Sequence, residues 1–297
     1  MTGTNLDAQA VGVKEKKRRS QAYRNMQTFL RNRLAVAGLI VVVLFTLASI
    51  FAPLITPYDP AVPDMKQIGK APSAEHPFGT DKVGRDVLAR VLYGGRTSIF
   101  IGVVASFIGS VLGIIFGCLG GYFGGKLDSL LVHASELFMT FPSMILILIL
   151  TTLVGKSLFN IIFIFAVTGW MTPFRMIRGK FLTQREETYV SVCKAFGISK
   201  FSIMFKHILP NAISPIIVAF SINVAGYILS EAGLSYLGLG VASSIPTWGN
   251  ILNAAKSIDV IRNYWWLWVY PGAVLSLFVL AVNFFGDGLR DVYDPKG

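Results

Sequence analysis

The chain has 297 residues, of which 53% are hydrophobic and 14% charged, with a mean hydropathy of +0.60 and a formal net charge of +11 at pH 7. That balance places it among membrane proteins and excludes ordinary soluble and disordered classes. Two cysteines, Cys118 in an apolar run and Cys193 in a polar loop, form no framework, and His76, His133 and His207 are scattered, which excludes disulfide scaffolds and Cys/His metal sites.

Residues 1–33 form a basic tail, with Lys14, Lys16, Lys17, Arg18, Arg19, Arg24, Arg31 and Arg33 against Asp7 and Glu15, and its start is expected to be disordered. The apolar run 34–55 is about 22 residues long, against about 7–15 for a secretory signal core, and no small-residue cleavage site follows, so it is an uncleaved first span. Further apolar runs lie between Arg96 and Lys126 and over 137–155, 157–174, 208–230 and 263–286. Each approaches the roughly 20 residues that cross a bilayer. Backbone amides in lipid must be satisfied internally and no alternating pattern marks strands, so the fold class is all-α, a polytopic membrane protein of six helices.

Orientation follows from Lys and Arg. The tail carries eight, and the central loop carries seven: Arg175, Arg178, Lys180, Arg185, Lys194, Lys200 and Lys206. Four spans separate them, so both lie on one side, which the positive-inside rule makes the cytoplasm. The external segment 56–96 has six basic and five acidic residues. Prolines punctuate it, and Val87, Leu88, Val91 and Leu92 predict a surface helix before Gly94-Gly95 turns the chain into the second span.

The second span carries glycines at a four-residue period, Gly109, Gly113, Gly117, Gly121 and Gly125, a spacing that lets helix backbones approach closely in lipid. The sequence from Gly120 to Lys126 imitates a phosphate-binding loop, but Leu127 stands where Mg²⁺ needs Ser or Thr, and an apolar helix precedes it; a tight turn before Asp128 is expected instead. Charged residues inside spans are few. Glu136, one turn beyond His133, sits near a helix end where it reaches water; Glu231, with Asn223, is expected to wet one face of the fifth span, which Pro215 is expected to kink.

The central loop is built from two short amphipathic pieces. Tyr189, Val192, Cys193 and Phe196 fall at helical spacing on the first, and Phe201, Met204, Phe205 and Ile208 on the second. Gly197 suits a left-handed helix end, Ser199 a cap, and Thr183-x-x-Glu186 a capping box opening the first piece. Such faces either lie on lipid and the chain's own helices or dock a soluble partner. In the second external segment, 243–262, the run Ser243 to Asn250 leads to Tyr264, Trp265, Trp266, Trp268 and Tyr270, expected as an interfacial belt. No catalytic constellation, such as G-x-S-x-G, H-E-x-x-H or paired carboxylates, is present.

The order and spacing of four motifs resemble the inner-membrane permeases of ABC importers for dipeptides and oligopeptides, in particular the second, shorter permease of each pair. They are His76-Pro-Phe-Gly-Thr-Asp-Lys-Val-Gly-Arg-Asp86 with Tyr93-Gly-Gly-Arg96, the central loop through Ile208-Leu-Pro-Asn211, Glu231-Ala-Gly-Leu-Ser-Tyr-Leu-Gly-Leu-Gly240, and Gly286-Asp-Gly-Leu-Arg-Asp291. The resemblance covers roughly residues 25–295. It implies the type I importer permease fold, with the tail 1–33, first helix 34–55, external segment 56–96, a five-helix core 97–290 holding a coupling loop at 175–208, and a cytoplasmic tail 291–297. In that family the coupling helix of this so-called EAA loop docks on an ATP-binding subunit. Here Ser191, Val192 and Cys193 replace the Glu-Ala-Ala letters, while Tyr189, Val190, Ala195 and Gly197 are kept.

By resemblance, Tyr189, Val192, Cys193, Ala195, Phe196, Gly197 and Ser199 couple to the ATPase, Asn223, Tyr227 and Glu231 border the path, and Asp81, Arg85 and Trp248 meet an extracytoplasmic solute-binding protein. The implied partners are a homologous permease, two ATPase subunits that hold ATP and Mg²⁺, the binding protein and the bacterial inner membrane. The chain itself is expected to bind no cofactor and no metal, to catalyse nothing, and to have both termini cytoplasmic. Nickel-complex or glutathione import is the alternative within the family, and a self-sufficient ion-coupled carrier the alternative outside it.

Overall fold

The computed structural model describes residues 21–293, so the expected disorder at the start of the tail falls on residues outside the described range. Lipid offers the backbone no partners, and the described residues are helical wherever the sequence is apolar, with one isolated bridge, Thr80 to Asp86, and no strand. The chain enters through α1 (Gln21–Arg31) and α2 (Arg33–Ile50). Between them the Asn32 side chain accepts from the Ala35 amide at 3.1 Å and donates to Asp291 at 2.9 Å. A single turn, α3 (Ala52–Ile55), leads to the external segment.

The second span, α4 (Val87–Phe123), has 37 residues, roughly 55 Å at 1.5 Å per residue. It does not turn at Gly94-Gly95 as the sequence predicts. Asp86 caps it by accepting from the Ala89 amide at 2.6 Å. Both glycines lie inside the helix as points of close approach: a Cβ would stand 3.2 Å from the Thr247 carbonyl carbon at Gly94, while at Gly95 it would collide with Ser49 Oγ on α2 and stand 3.1 Å from Trp248 Cζ2. The helix ends where Gly124 and Gly125, at φ +65° and +60°, make the expected turn.

After that turn, α5 (Gly125–Thr140) and α6 (Ser143–Val154) form a pair bent by 92°. The straight third span expected over 137–155 is therefore broken. Pro142 supplies the cause: it has no amide hydrogen to donate, and it forces Phe141 into extended geometry, at φ −88° and ψ 139°. Next, α7 (Leu158–Gly169) and α8 (Met171–Gln184) are separated by Trp170 alone and together make a 27-residue span, longer than the sequence suggests. The glycine ladder packs here. A Cβ would lie 2.5 Å from Pro173 Cβ at Gly113, 2.7 Å from Ile177 Cβ at Gly117 and 2.6 Å from Phe181 Cβ at Gly121, so two four-residue periods interlock.

The chain returns through α9 (Thr188–Ala195), α10 (Lys200–Ser202), a π-helical turn Ile203–Ile208 and α11 (Leu209–Ala212) into α12 (Ser214–Tyr236). Pro215 sits in the first turn of α12, where a missing amide hydrogen leaves no bond unmade, so it starts this helix and does not kink it. After α12 come α13 (Trp248–Leu252), opened by a Thr247/Asn250 capping box, a 3-10 turn Asn253–Lys256 and α14 (Ile258–Asn263). The last helix is α15 (Trp266–Tyr293). Five helices of the described chain are long and apolar enough to cross a membrane, or six if the bent pair is one span.

The core is strung along α4. Its N-terminal end packs with Val224, Ile228, Trp248 and Phe278, its middle with Ile161 and Phe165, and its C-terminal end, through Cys118, with Ile177, Phe181 and the central loop. The aromatic belt is split: Trp266 is buried and donates from Nε1 to the Thr80 carbonyl at 3.1 Å, and Tyr270 stacks on Phe78 at 4.2 Å, while Trp265 and Trp268 remain outward.

Candidate coupling surface and translocation path

The central loop is bolted to the spans from both sides. Arg178 on α8 donates to Asp128 on α5 in a two-pronged pair at 2.5 and 2.7 Å, and Arg185 Nη1 donates to the Gly121 carbonyl at 3.1 Å. Paired guanidinium and carboxylate hold orientation as well as distance. Neither anchor is singled out by the sequence, although Asp128, the first carboxylate after the uncharged stretch 97–125, is a usable signal.

The expected capping box does not form. The Thr183 hydroxyl donates to the Gly179 carbonyl within α8, and Glu187, not Thr183, is the N-cap of α9. The other end of α9 follows the expectation: the Gly197 amide reaches Lys194 at 3.0 Å and the Ile198 amide reaches Cys193 at 3.1 Å, with Gly197 at φ +72°. That pairing is the Schellman stop, which only a left-handed residue completes. Ser199 then caps α10 by accepting from the Ser202 amide at 3.4 Å.

Burial redraws the two faces. Val190 is fully buried with Ile203, Met204 and Ile208 against Ile177 and Phe181, and Cys193 packs onto the same cluster. Cys193, Met204 and Ile208 therefore hold the loop down and do not belong to an outward face. The exposed apolar surface is Tyr189, Val192, Phe196, Phe201 and Phe205, and Phe196 is 81% exposed. Ala195, Gly197 and Ser199 are exposed beside it. Because the π-helical turn shifts register by one residue per turn, Phe201 and Phe205 face out while Met204 faces in.

Of the three path candidates, Asn223 lines a cavity of about 570 Å³ between α8, the start of α12 and the end of α15, together with Thr172, Met176, Lys180 and Arg290. Tyr227 stacks on Phe165 at 5.1 Å and is partly buried. Glu231 does not wet a helix face. Its carboxylate is fully buried, accepting from Ser235 at 2.6 Å and from Thr247 at 2.9 Å, so it ties α12 to the cap of α13.

The outer candidates divide similarly. Trp248 is 1% exposed, donating from its indole to the Val91 carbonyl at 3.0 Å and from its amide to Ser98 at 3.1 Å, which makes it a core anchor and not a docking residue. Asp81 and Arg85 pair at 2.7 Å, with Asp81 also accepting the Val83 and Arg85 amides, so the aspartate shapes its own loop while Arg85 stays partly exposed. Among the described residues no group of three His, Cys, Asp or Glu is placed to hold a metal ion.

Comparison with known proteins places this geometry. The profile for binding-protein-dependent transport system inner membrane components matches residues 109–296. The chain belongs to that family. A second profile, for the N-terminal transmembrane domain of oligopeptide transport permease C, matches residues 20–72. The oligopeptide transport system permease protein OppC of Escherichia coli K12 is 40% identical over 271 residues, covering 90% of this chain and 89% of its own. A putative peptide permease protein of Brucella suis is 39% identical over 273 residues, covering 92% and 90%. The dipeptide transport system permease protein DppC of Bacillus subtilis is 35% identical over 266 residues, covering 90% and 83%. Among solved structures, the MetNI methionine ABC transporter in inward-facing conformations aligns with a TM-score of 0.55 at 19% identity, over 68% of this chain and 96% of that one, which bears on the fold alone: the type I importer permease arrangement.

Proposed function

We propose that this chain is the membrane-spanning permease subunit of an ATP-driven importer that passes di- or oligopeptides from an extracytoplasmic binding protein to the cytoplasm by alternating access. It pairs with a homologous permease, and two ATPase subunits, which hold ATP and Mg²⁺, attach at the central loop. Both termini and that loop lie in the cytoplasm. The observation that carries the cargo assignment is that relatives named for peptide transport match about nine-tenths of this chain and most of their own length. A metal-complex or glutathione cargo is not needed to explain any of them.

The exposed face of α9 supports the coupling role. Closure of the ATPase pair would push on Tyr189, Val192 and Phe196; the buried Val190 and the Arg178–Asp128 bolt would pass that push to α8, α4 and α12. The test is a cross-link. With Cys118 and Cys193 replaced by alanine, Phe196→Cys in the assembled complex should join a cysteine placed in an ATPase subunit's groove, and the yield should change with ATP. Cross-linking to lipid or to the chain itself alone would contradict the proposal.

A further inference from the structure

The first external segment closes around a second cavity, of about 300 Å³, whose lining residues all fall within 57–86 and include none that line the cavity at Asn223. Its chemistry is one-sided. Asp59, Asp64 and Glu75 line it with Gln67, His76 and Tyr58, and no lysine or arginine is among the lining residues.

His76 is 3% exposed, and its Nδ1 lies 2.8 Å from Asp86 Oδ2. An ionised carboxylate only accepts, so Nδ1 carries the hydrogen, and in the neutral ring Nε2 offers a lone pair. Asp86 is itself fixed by the Ala89 amide, which holds the imidazole in place. His76 Nε2 and Gln67 Oε1 are both buried with no hydrogen-bond partner. Two orphaned acceptors in one carboxylate-lined cavity ask for a donor-rich, positively charged group.

Among the described residues no three His, Cys, Asp or Glu groups are placed to hold a metal ion. The Tyr58 ring, 4.7 Å from that of His76, adds an aromatic face of the kind that attracts organic cations. Burial, then the charges of Glu75 and Asp86, hold the Tyr58 phenol above its ordinary pKa, as a negative field would. We infer that this cavity receives an ammonium or guanidinium group, and that the occupant is a lysine or arginine side chain of the binding protein docked on the outer face. The inference rests on the proposed function for sidedness and for the partner. Its separation from the cavity at Asn223 is what favours a docked protein over the transported peptide.

The test uses the complete importer in lipid nanodiscs and its binding protein free of peptide. Asp59→Asn with Glu75→Gln, both exposed carboxylates, should weaken docking at least tenfold and flatten its salt dependence. Gln67→Lys, which fills the cavity with an ammonium from the chain itself, should weaken docking similarly without lowering the thermal unfolding temperature of the complex. Docking within twofold of wild type in both variants overturns the inference. So does a docking defect that appears only with a peptide bearing a free amine and vanishes with its N-acetylated form, since the cation would then belong to the cargo. Peptide uptake by the wild-type importer reconstituted in liposomes is scored separately: its absence counts against the proposed function, whereas uptake with unaltered docking in the variants removes only the role of the cavity.

Discussion

Replacing Phe196 with aspartate isolates the coupling surface from the fold. The ring is 81% exposed in the free chain, so the permease should insert and fold as before. Burying a phenylalanine against a partner is worth about 1.5–3 kcal/mol. The aspartate forfeits that and adds a carboxylate that must be desolvated without a mate, for a total loss of about 3 kcal/mol or more, which is roughly two orders of magnitude in affinity. Titrating purified ATPase subunits onto the permease pair reads this directly, and peptide-stimulated ATP hydrolysis should fall with it. Val190→Asp is the contrast: that side chain is fully buried, so the variant should fail to fold instead of merely failing to couple. ATPase affinity within threefold of wild type for Phe196→Asp would refute the reasoning.

Other positions test the scaffold. Gly117→Val would drive a side chain into Ile177 Cβ at 2.7 Å and Cγ2 at 2.8 Å; overpacking of about 1–3 kcal/mol or more should cut the yield of monodisperse protein on size exclusion, and an unchanged profile would contradict the interlocked ladders. Glu231→Gln keeps an acceptor for Ser235 and Thr247 and should be mild, whereas Glu231→Leu strands both hydroxyls at about 1–3 kcal/mol each, read as a lower unfolding temperature; equal effects of the two would refute the tie. The hydrogen bond from Lys82, then that from Asn263, holds Asp259 below its ordinary pKa of 3.8. Because the folded value is depressed, the tie between the external segments is present above the ordinary value and is lost as pH falls through the lowered one. Asp259→Asn should therefore loosen hydrogen exchange in that loop at about pH 7, and its difference from wild type should shrink as the pH falls through the lowered value.

The spans were legible because apolar length is a property of composition. The glycine period told of close packing, and Pro173, Ile177 and Phe181 on α8 answer it with the same spacing. What misled was local punctuation. Gly94-Gly95 marks a turn in water, but within a packed helix the missing Cβ serves the neighbours, Thr247 and Ile251 at Gly94 and Ser49 and Trp248 at Gly95. Pro215 looked internal only because the apolar run begins before the helix does. Pro142 passed unremarked inside an uncharged stretch, since hydropathy averages over a proline that the backbone cannot. At the site, periodicity located both amphipathic pieces of the loop, but a regular helical period could not foresee the π-helical turn that buries Met204 and turns Phe205 outward. Glu231, read as a charge inside a span, and Trp248, placed by resemblance, were assigned to path and docking, and partners distant in sequence decide otherwise.

Peptide uptake into liposomes tests the ATP-driven import directly. ATP-dependent uptake is expected from the complete set of permease pair, two ATPases and binding protein, none from this chain alone, and none from the set carrying Phe196→Asp. Uptake by liposomes holding this chain alone, driven by an ion gradient, would contradict ATP-driven import.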